Sequence, residues 1–491
     1  MKENKTKLSE HIFKKGKFIT PWNNALGDLL QNQSWALNRL PEFFWLALIL
    51  DYLGRKNSIN IIVAILDKLY DISSDIEMPF FSQILNLEKE KQELLFSYIC
   101  TIINPSVLSP LTLIYTYSDY PIFAKFFYSS EITLKERKDI LETTLKKCYG
   151  PQTDFTTDIK FWSLYPIAKN QKLIFSTQCE KGIEAITNYM NTPHDDIAMH
   201  TYRPMIRALE GTVSSSVMEN INNEKFLNEF WERVSIMSDC NLYTINFELE
   251  KSNSKDYINK IKTILKFLTN LFIATNPLNQ KMLVILGLFT YAYKIVLEVV
   301  EHNLYNTIIG RNVIRCLVEL YIMLKYLLKK EKDNIKIWEE FQEYGIGQFK
   351  TVLARSRDFE TKTSTHVSFD LIDVIVNEYK REEFLNMDTS YFDKQNIREK
   401  ANFVGEKELY GLYYDYDSAY EHGLWGAIRE SSVLNCDNPS HQYHFVPDYE
   451  NQQKLKSIWF DCVYIMNKII DTINLEYEIP QNLLKEVKIF E

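Results

Sequence analysis

The central part of the chain contains no proline, because none occurs between Pro277 and Pro439. Proline breaks helices by removing a backbone hydrogen-bond donor, so this stretch can form long uninterrupted helices. Glycine is also scarce, with 14 Gly and 14 Pro among 491 residues, whereas average usage is roughly 7% and 5%. So few turn residues argue against a β-sandwich or a collagen-like repeat. The composition predicts an all-α fold.

Apolar residues recur at helical spacing along most of the chain. One helix is predicted from Pro41 to about Gly54, and a second follows after a cap at Asn57 and Ser58. The stretch from Ile159 to Tyr165 is the most strand-like in composition, although it has no evident partner strand.

The polar segment from Glu248 to Asp256 is the best candidate for a domain boundary. We therefore predict an N-terminal multi-helix domain over residues 1–250, of which about the first 17 are mobile. A helical bundle over residues 255–475 and a C-terminal tail over 476–491 complete the predicted organisation.

Charge and cysteine usage limit the cellular setting. The net charge is −9, which excludes a protein that coats nucleic acid, so any such site must be local. The seven Cys are scattered without a CxxC or zinc-type spacing, as expected in a reducing cytoplasm. No apolar run reaches the roughly 18–20 residues that span a bilayer. These features predict a soluble cytoplasmic protein without a membrane partner.

Standard catalytic motifs are absent from the sequence: it has no phosphate-binding loop, no HExxH, no GxSxG and no dinucleotide-binding GxGxxG. His441 and His444 are the only closely spaced histidines. Without a third ligand nearby in the sequence, a loop is favoured over a metal site. We therefore predict no metal and no cofactor.

Asp196, His200, Arg203 and Arg207 would lie on one face of a continuous helix. Pro204 argues against that continuity, because proline disfavours the helical conformation at the residue before it. A solvated loop, followed by a helix that begins near Pro204, is the favoured interpretation.

Polar residues follow one face of two predicted helices in the C-terminal half. Arg311, Arg315 and Glu319 are four residues apart on a helix that is otherwise apolar nearly all round. Charges on a buried helix need partners. An intrahelical Arg315–Glu319 pair is the simplest explanation for two of these residues, and it leaves Arg311 unexplained.

The second helix carries His422 and Arg429 on one face, together with Tyr414, Ser418 and Trp425. Tyrosines surround this face, and a tyrosine-rich core helix is the alternative explanation for them. The position of His422 between Glu421 and Gly423 favours a functional role.

The segments RCLVELYIMLKYL and LYGLYYDYDSAYEHG carry a resemblance to a known group. Over residues 255–475 the chain is similar to a bacterial family of all-helical domains of unknown function, grouped with the HEPN superfamily of helical ribonuclease and toxin bundles. The N-terminal block WALNRLPEFFWLALIL also resembles openings of bacterial phage-defence proteins.

This resemblance implies metal-independent RNA cleavage in a defence or toxin-like protein. His422 would act as the acid and base, Arg311 and Arg315 would bind the phosphate, Glu319 would orient them, and Arg429 would line the same site. It also implies a homodimer formed through the C-terminal bundle and a partner protein or antitoxin.

One departure from the superfamily leaves a second interpretation open. Its usual nuclease signature is Arg, four to six residues, then His, and no histidine here has an arginine at that spacing before it. The alternative is a non-catalytic helical interaction module that binds a partner protein or nucleic acid.

Overall fold

The computed structural model describes residues 7–21, 24, 34–170, 180–218, 221–245, 247, 253–358, 365–378 and 387–488. These residues are mostly helical with a few short strands, so the predicted all-α class is confirmed. The chain forms two compact units. The first is Met1–Tyr243 with Asn435–His444, and the second is Thr244–Leu434 with Phe445–Glu491. A short segment late in the sequence therefore belongs to the first unit.

The first unit begins with a β-hairpin and continues as a series of helices. The strands are β1 (Ile12–Lys14) and β2 (Lys17–Ile19), which pair antiparallel. The helices are α1 (Leu40–Ile72), α2 (Phe81–Leu85), α3 (Lys89–Ile102), α4 (Pro121–Phe127), α5 (Leu134–Cys148), α6 (Asp154–Lys169), α7 (Glu180–Asn188), α8 (Met199–Met218) and α9 (Glu224–Ile236). Single 3₁₀ or π turns lie at Leu8–Glu10, Trp35–Arg39, Pro105–Val107, Ser109–Leu113 and Tyr189–Asn191.

A short pair of strands joins Leu242 and Tyr243 to Cys436 and Asn435 within the first unit. Strand β3 (Leu242–Tyr243) pairs antiparallel with β4 (Val433–Cys436), so that Leu242 lies opposite Cys436. A 3₁₀ turn at Pro439–His441 follows, and the next strand, β5 (Phe445–Pro447), belongs to the second unit.

The second unit is built from long helices joined by shorter ones. They are α10 (Ser254–Thr275), α11 (Gln280–Glu301), α12 (Ile308–Lys330), α13 (Ile337–Asp358), α14 (Phe369–Val376), α15 (Ile397–Val404), α16 (Lys407–Leu409), α17 (Asp415–Glu421), α18 (Trp425–Ser431), α19 (Trp459–Glu476) and α20 (Gln481–Lys488). A π turn at Tyr410–Tyr414 joins α16 to α17, and 3₁₀ turns lie at Leu304–Asn306 and Phe392–Lys394.

Three segments predicted to lie outside or between the domains can be compared with the structure: the mobile start, the boundary segment and the C-terminal tail. The segment predicted to be mobile, about the first 17 residues, includes most of the β1–β2 hairpin over residues 12–19, whose side chains are largely exposed. Residues 248–252 of the predicted boundary segment lie outside the described residues, and α10 begins at Ser254. The predicted tail contains α20, whose Leu484 and Val487 are buried against the core.

The span α1 consists of two helices that meet at a kink at Gly54, where the sequence predicts that the first helix ends. Gly54 interrupts the helical geometry with φ 73°, a left-handed value that glycine adopts at low cost. The helix resumes directly after it, and the Ser58 hydroxyl donates to the Arg55 carbonyl instead of capping a new helix. Gly54 therefore separates the two helices of α1, and the predicted cap at Asn57 and Ser58 lies within the second helix.

The stretch from Ile159 to Tyr165, which is strand-like in composition, is helical. It lies inside α6, which starts at an N-cap where the Thr153 hydroxyl accepts from the Thr156 amide. The middle of α6 is buried on nearly all sides. A helix that is buried all round shows no helical periodicity in its sequence, and its composition can then be mistaken for that of a buried strand.

The predicted helix start near Pro204 is also wrong, because α8 begins at Met199 and contains Pro204. The turn before the proline is anchored by the side chain of Arg203. Its guanidinium forms an ion pair with Asp154 at 2.8 Å and donates to the His194 carbonyl at 2.6 Å. These contacts hold the helical conformation that proline disfavours at the preceding residue.

The first unit buries a group of charged side chains against α6 and α8. The Glu210 carboxylate is fully buried and forms an ion pair with Arg39 at 2.6 Å. It also lies 3.8 Å from the Lys160 ammonium, and the Ser214 hydroxyl donates to it at 2.8 Å. Burial lowers the pKa of Lys160 to about 8, although Glu210 opposes this shift. Two cations thus share one buried carboxylate.

Helix α12 is the central helix of the second unit. It packs against α11, α15, α17 and α19, and its N-cap is Thr307, whose hydroxyl accepts from the Gly310 amide. Gly310 lies so close to the Leu304 carbonyl that a Cβ there would overlap this oxygen. The apolar side of α12 is buried in the core, and its polar side carries the residues singled out from the sequence.

Helix α11 is long and apolar enough to cross a membrane by length and composition, because it continues past Lys294 to Glu301. In its most apolar window 44% of the residues are buried inside the protein. Core helices of soluble proteins meet the same criterion.

Candidate functional site

Arg315 and Glu319 form the centre of a polar group on α12. Their side chains form an i,i+4 ion pair at 3.3 Å, as the spacing predicts. Arg315 also makes a close ion pair with Glu421 at the end of α17 and donates to the Tyr414 hydroxyl at 2.8 Å. Its guanidinium lies 4.7 Å from the centre of the Tyr414 ring. Two carboxylates, one phenol and one aromatic face therefore hold this arginine in place.

A cavity of about 640 Å³ opens beside this group, within the second unit. Its walls come from α11, α12, α13, the segment before α15, α15 itself and the Tyr410–Tyr414 turn. Six rings, three basic side chains and one carboxylate line it. The lining residues are Leu288, Arg315, Cys316, Glu319, Leu320, Met323, Phe341, Tyr344, Tyr391, Phe392, Gln395, Asn396, Ile397, Arg398, Lys400, Tyr410 and Tyr414.

Burial raises the pKa of one thiol and two phenols in the cavity wall. Burial raises the pKa of the Cys316 thiol to about 11, so at neutral pH it is a thiol and a weak nucleophile. Burial, with nearby Asp415, raises the pKa of Tyr410 to about 12. Burial also raises the pKa of Tyr414, although its hydrogen bond from Arg315 opposes the shift. The wall therefore offers hydroxyl donors rather than an activated nucleophile.

The two basic residues of α15 differ in what they offer a ligand. Lys400 is buried, and its ammonium donates to the carbonyls of Phe392 and Gln395, the first at 2.6 Å. Arg398 is exposed and takes part in none of the ion pairs among the described residues. Of these two cations, Arg398 is therefore the one free to bind an anion.

Arg311 lies in a separate buried polar group. Its side chain is only 4% exposed and donates to the Lys456 carbonyl at 2.6 Å. Within the described part of the chain, its Nε and Nη1 atoms have no hydrogen-bond partner. Burial raises the pKa of nearby Asp417 to about 7, and the charge of Arg311 opposes this shift. This arginine lies near the buried carboxyl group of Asp417 and does not line the cavity.

His422 and Arg429 lie on the surface of the second unit. His422 is the C-cap residue of α17, where its backbone amide donates to the Ser418 carbonyl, and its side chain is exposed. Arg429 is exposed, with its guanidinium 4.5 Å from the centre of the Phe445 ring. No hydrogen bond or ion pair among the described residues joins either side chain to Arg311, Arg315 or Glu319. The structure thus brings together Arg315 and Glu319 out of the five predicted site residues.

A comparison with known protein families found a match in this region. Residues 282–441 match the model of DUF5677, a family of unknown function. The match covers about a third of the chain and includes all five predicted site residues. It carries no link to the HEPN superfamily or to phage defence. No curated protein and no solved structure matches the chain.

Sequence reasoning missed most of the cavity wall. Arg398, Tyr344 and Tyr391 come from three segments separated in the sequence from α12. A local signal marks one of them, because Asn396 and Glu399 form the capping box at the start of α15. That signal predicts where the helix begins, but nothing local predicts which helix it faces.

Proposed function

We propose that the second unit is a non-catalytic binding module whose cavity takes an anionic aromatic ligand, namely a nucleotide or a segment of single-stranded RNA. The observation that carries this proposal is the composition of the cavity wall, where six rings and three basic side chains accompany one carboxylate. Aromatic side chains stack on bases, and guanidinium groups bind phosphate. The net charge of the chain is −9, so a cavity wall with three basic side chains and one carboxylate is more positive than the chain as a whole.

Each part of the wall has a role in this binding. Tyr410 and Tyr414 stack on each other with ring centres 4.6 Å apart, which extends the aromatic surface at the cavity edge. Exposed Arg398 contacts the phosphate directly. Arg315 is already balanced by Glu319 and Glu421 and orients Tyr414. Protonated phenols donate hydrogen bonds to the ligand.

The second candidate function is RNA cleavage at the same unit, in a defence or toxin-like protein of the HEPN type. The observation in its favour is that Glu421, the neighbour of His422, contacts Arg315. His422 would then be the acid and base. A cytoplasmic location, an antitoxin or other partner protein, and a homodimer through the C-terminal bundle belong to this candidate.

Fluorescence anisotropy with the full chain and a labelled single-stranded RNA tests the binding function. Arg398→Ala should weaken binding by about fivefold to tenfold and reduce the salt dependence by the equivalent of about one phosphate contact. Arg355→Ala is the matched control, because Arg355 is an exposed arginine on α13 outside the cavity wall. Unchanged affinity in Arg398→Ala, or no binding of RNA and nucleotides by the wild type, would refute the proposal.

Cleavage of the same RNA in the presence of a chelator separates the two candidates. The binding module leaves the RNA intact in both the wild type and His422→Ala. Cleavage by the wild type that is lost in His422→Ala would replace the binding module with the ribonuclease. Light scattering of the full chain tests the associated dimer.

A further inference from the structure

Four potential metal ligands lie close together in the first unit, whereas the cavity described above belongs to the second unit. They are Cys240, Cys436, His441 and His444, and their ligand atoms all lie within 4.8 Å of one another. Cys240 follows α9, whereas the other three belong to the segment 435–444 that returns to this unit. We infer that these four residues form a structural zinc site.

The distances between the ligand atoms fit a tetrahedral ion. Bonds of about 2.3 Å to sulfur and about 2.0–2.1 Å to nitrogen place neighbouring S and N ligands roughly 3.5 Å apart in a tetrahedron. Cys240 Sγ lies 3.3 Å from His441 Nδ1 and 3.1 Å from His444 Nε2. Cys436 Sγ lies 3.7 Å from His441 Nδ1. All three separations are close to the tetrahedral value.

The ring of His441 is oriented for ligation by its second nitrogen. Nε2 lies 3.0 Å from the carbonyl oxygens of both Ser235 and Ser238. Carbonyl oxygens only accept, so Nε2 carries the proton and Nδ1 presents its lone pair to the two thiols. A hydrogen bond from the remote nitrogen to a carbonyl is the usual support of a metal-bound histidine.

The backbone between the two histidines is strained in a way that brings them together. Gln442 and Tyr443 both have positive φ, at 56° and 52°, a conformation that costs energy in residues other than glycine. The turn is closed by the His444 amide, which donates to the His441 carbonyl. The two imidazole rings are therefore 5.1 Å apart, centre to centre.

The same segment is attached to the end of α9 and to β3 by several hydrogen bonds. The Cys436 amide donates to the His444 carbonyl at 3.0 Å, and the Asp437 amide donates to the Asn241 carbonyl at 3.0 Å. The Asn438 side chain donates to the Asp239 carbonyl at 2.9 Å. The backbone carrying all four ligands is thus held in place by contacts that do not involve the four ligand side chains.

The ligand set selects the metal and the type of site. Two thiolates and two imidazoles in a tetrahedron favour zinc among the common cellular metals. Four protein ligands fill the coordination sphere, which is typical of structural rather than catalytic zinc. Cys240 and His444 are exposed, so the ion has a route into the site. The ion would cross-link two parts of the first unit that are about two hundred positions apart in the sequence.

Metal analysis of the full chain tests this site. Protein dialysed against zinc and then against metal-free buffer should retain about one zinc per chain by elemental mass spectrometry. Cobalt(II) in place of zinc should give the visible absorption of a tetrahedral ion and a sulfur-to-cobalt charge-transfer band. Absence of bound zinc, or an octahedral cobalt spectrum without the sulfur band, would overturn the inference.

Variants separate ligation from general effects on folding. Cys240→Ser and His444→Ala should each lower zinc affinity at least about tenfold. His444→Cys replaces one ligand type by another and should keep zinc. His200→Ala and Cys100→Ser are matched controls outside the group, and both should keep one zinc. Full zinc content in a Cys240→Ser/His444→Ala double variant would refute the site.

Peptide mapping under non-reducing conditions examines the competing use of the two thiols. A zinc site leaves Cys240 and Cys436 as free thiols that alkylate after the metal is removed. A quantitative Cys240–Cys436 disulfide in protein isolated without oxidant would overturn the zinc inference, since oxidised sulfur cannot ligate the ion.

Discussion

The substitution Glu210→Gln should strongly destabilise the first unit, because it leaves two buried cations without their carboxylate. At an effective dielectric constant of 20, two charges about 4 Å apart interact by about 4 kcal/mol. The Lys160–Glu210 separation of 3.8 Å falls at that value, and the Arg39–Glu210 separation of 2.6 Å is shorter. Desolvation of the carboxylate, which costs several kcal/mol, offsets part of the gain. The expected net loss is about 3–5 kcal/mol.

Hydrogen exchange measured by mass spectrometry suits a chain with two units, because each peptide reports the opening of its own region. Peptides from α6 and α8 in Glu210→Gln should exchange about 100-fold faster or more, since 1.4 kcal/mol corresponds to a factor of ten. Glu142→Gln, which removes an exposed carboxylate from α5, should change stability by less than about 0.5 kcal/mol.

A double variant tests the physical cause of this loss. Adding Lys160→Met to Glu210→Gln removes one of the two uncompensated cations, so part of the protection should return. Protection of α6 and α8 equal to wild type in Glu210→Gln would show that the buried charges contribute no net stability. A double variant whose loss of stability equals the sum of the two single losses would show that Lys160 does not depend on Glu210.

Three further predictions concern pH, a close packing contact and metal. Burial lowers the pKa of Lys160 from 10.5 in the unfolded chain to about 8 in the folded protein, so the free-energy cost of burying this lysine decreases as the pH rises from about 8 to 10.5. Over that range, chemical denaturation should show the stability of the wild type rising relative to that of Lys160→Met by at most about 1.4 kcal/mol per pH unit. A difference in stability that does not change with pH would contradict this. In urea unfolding, Gly310→Ala should destabilise the second unit by about 1–3 kcal/mol, because the added Cβ would overlap the Leu304 carbonyl oxygen. Gly287→Ala is the control: a Cβ there meets open space, so this variant should stabilise the unit by about 0.5–1 kcal/mol. Removing zinc should lower the melting temperature of the first unit by about 5–10 °C relative to free zinc at about 100 times its dissociation constant, reversibly on readdition; an unchanged melting temperature would mean that the ion contributes nothing to folding.

Features that depend on neighbouring residues in the sequence could be predicted, and features that depend on distant ones could not. The all-α class follows from the scarcity of helix breakers, and the Arg315–Glu319 pair follows from a spacing of four residues. Residues 159–165 are strand-like in composition although they are helical, because a helix buried on all sides has no periodic pattern to detect. The predicted helix start at Pro204 was wrong because Arg203 is held by Asp154, 49 positions earlier in the chain.

The same distinction explains the two groups of polar side chains. The sequence shows His441 and His444 as a close pair, but Cys240 approaches them only because β3 pairs with β4. Arg398 reaches the cavity only because α15 packs on α12. Neither approach leaves a trace in local spacing, since each is decided by tertiary packing.

The return of residues 435–444 to the first unit has a consequence for the order of events during synthesis. A nascent chain folds as it emerges, at about 5–20 residues per second. The first unit must wait for residues 244–434 before its last segment is available, a delay of roughly 10–40 s at that speed. During that interval α9 and β3 lack their partners Cys436, His441 and His444. Completion of the first unit is therefore timed by translation of the second.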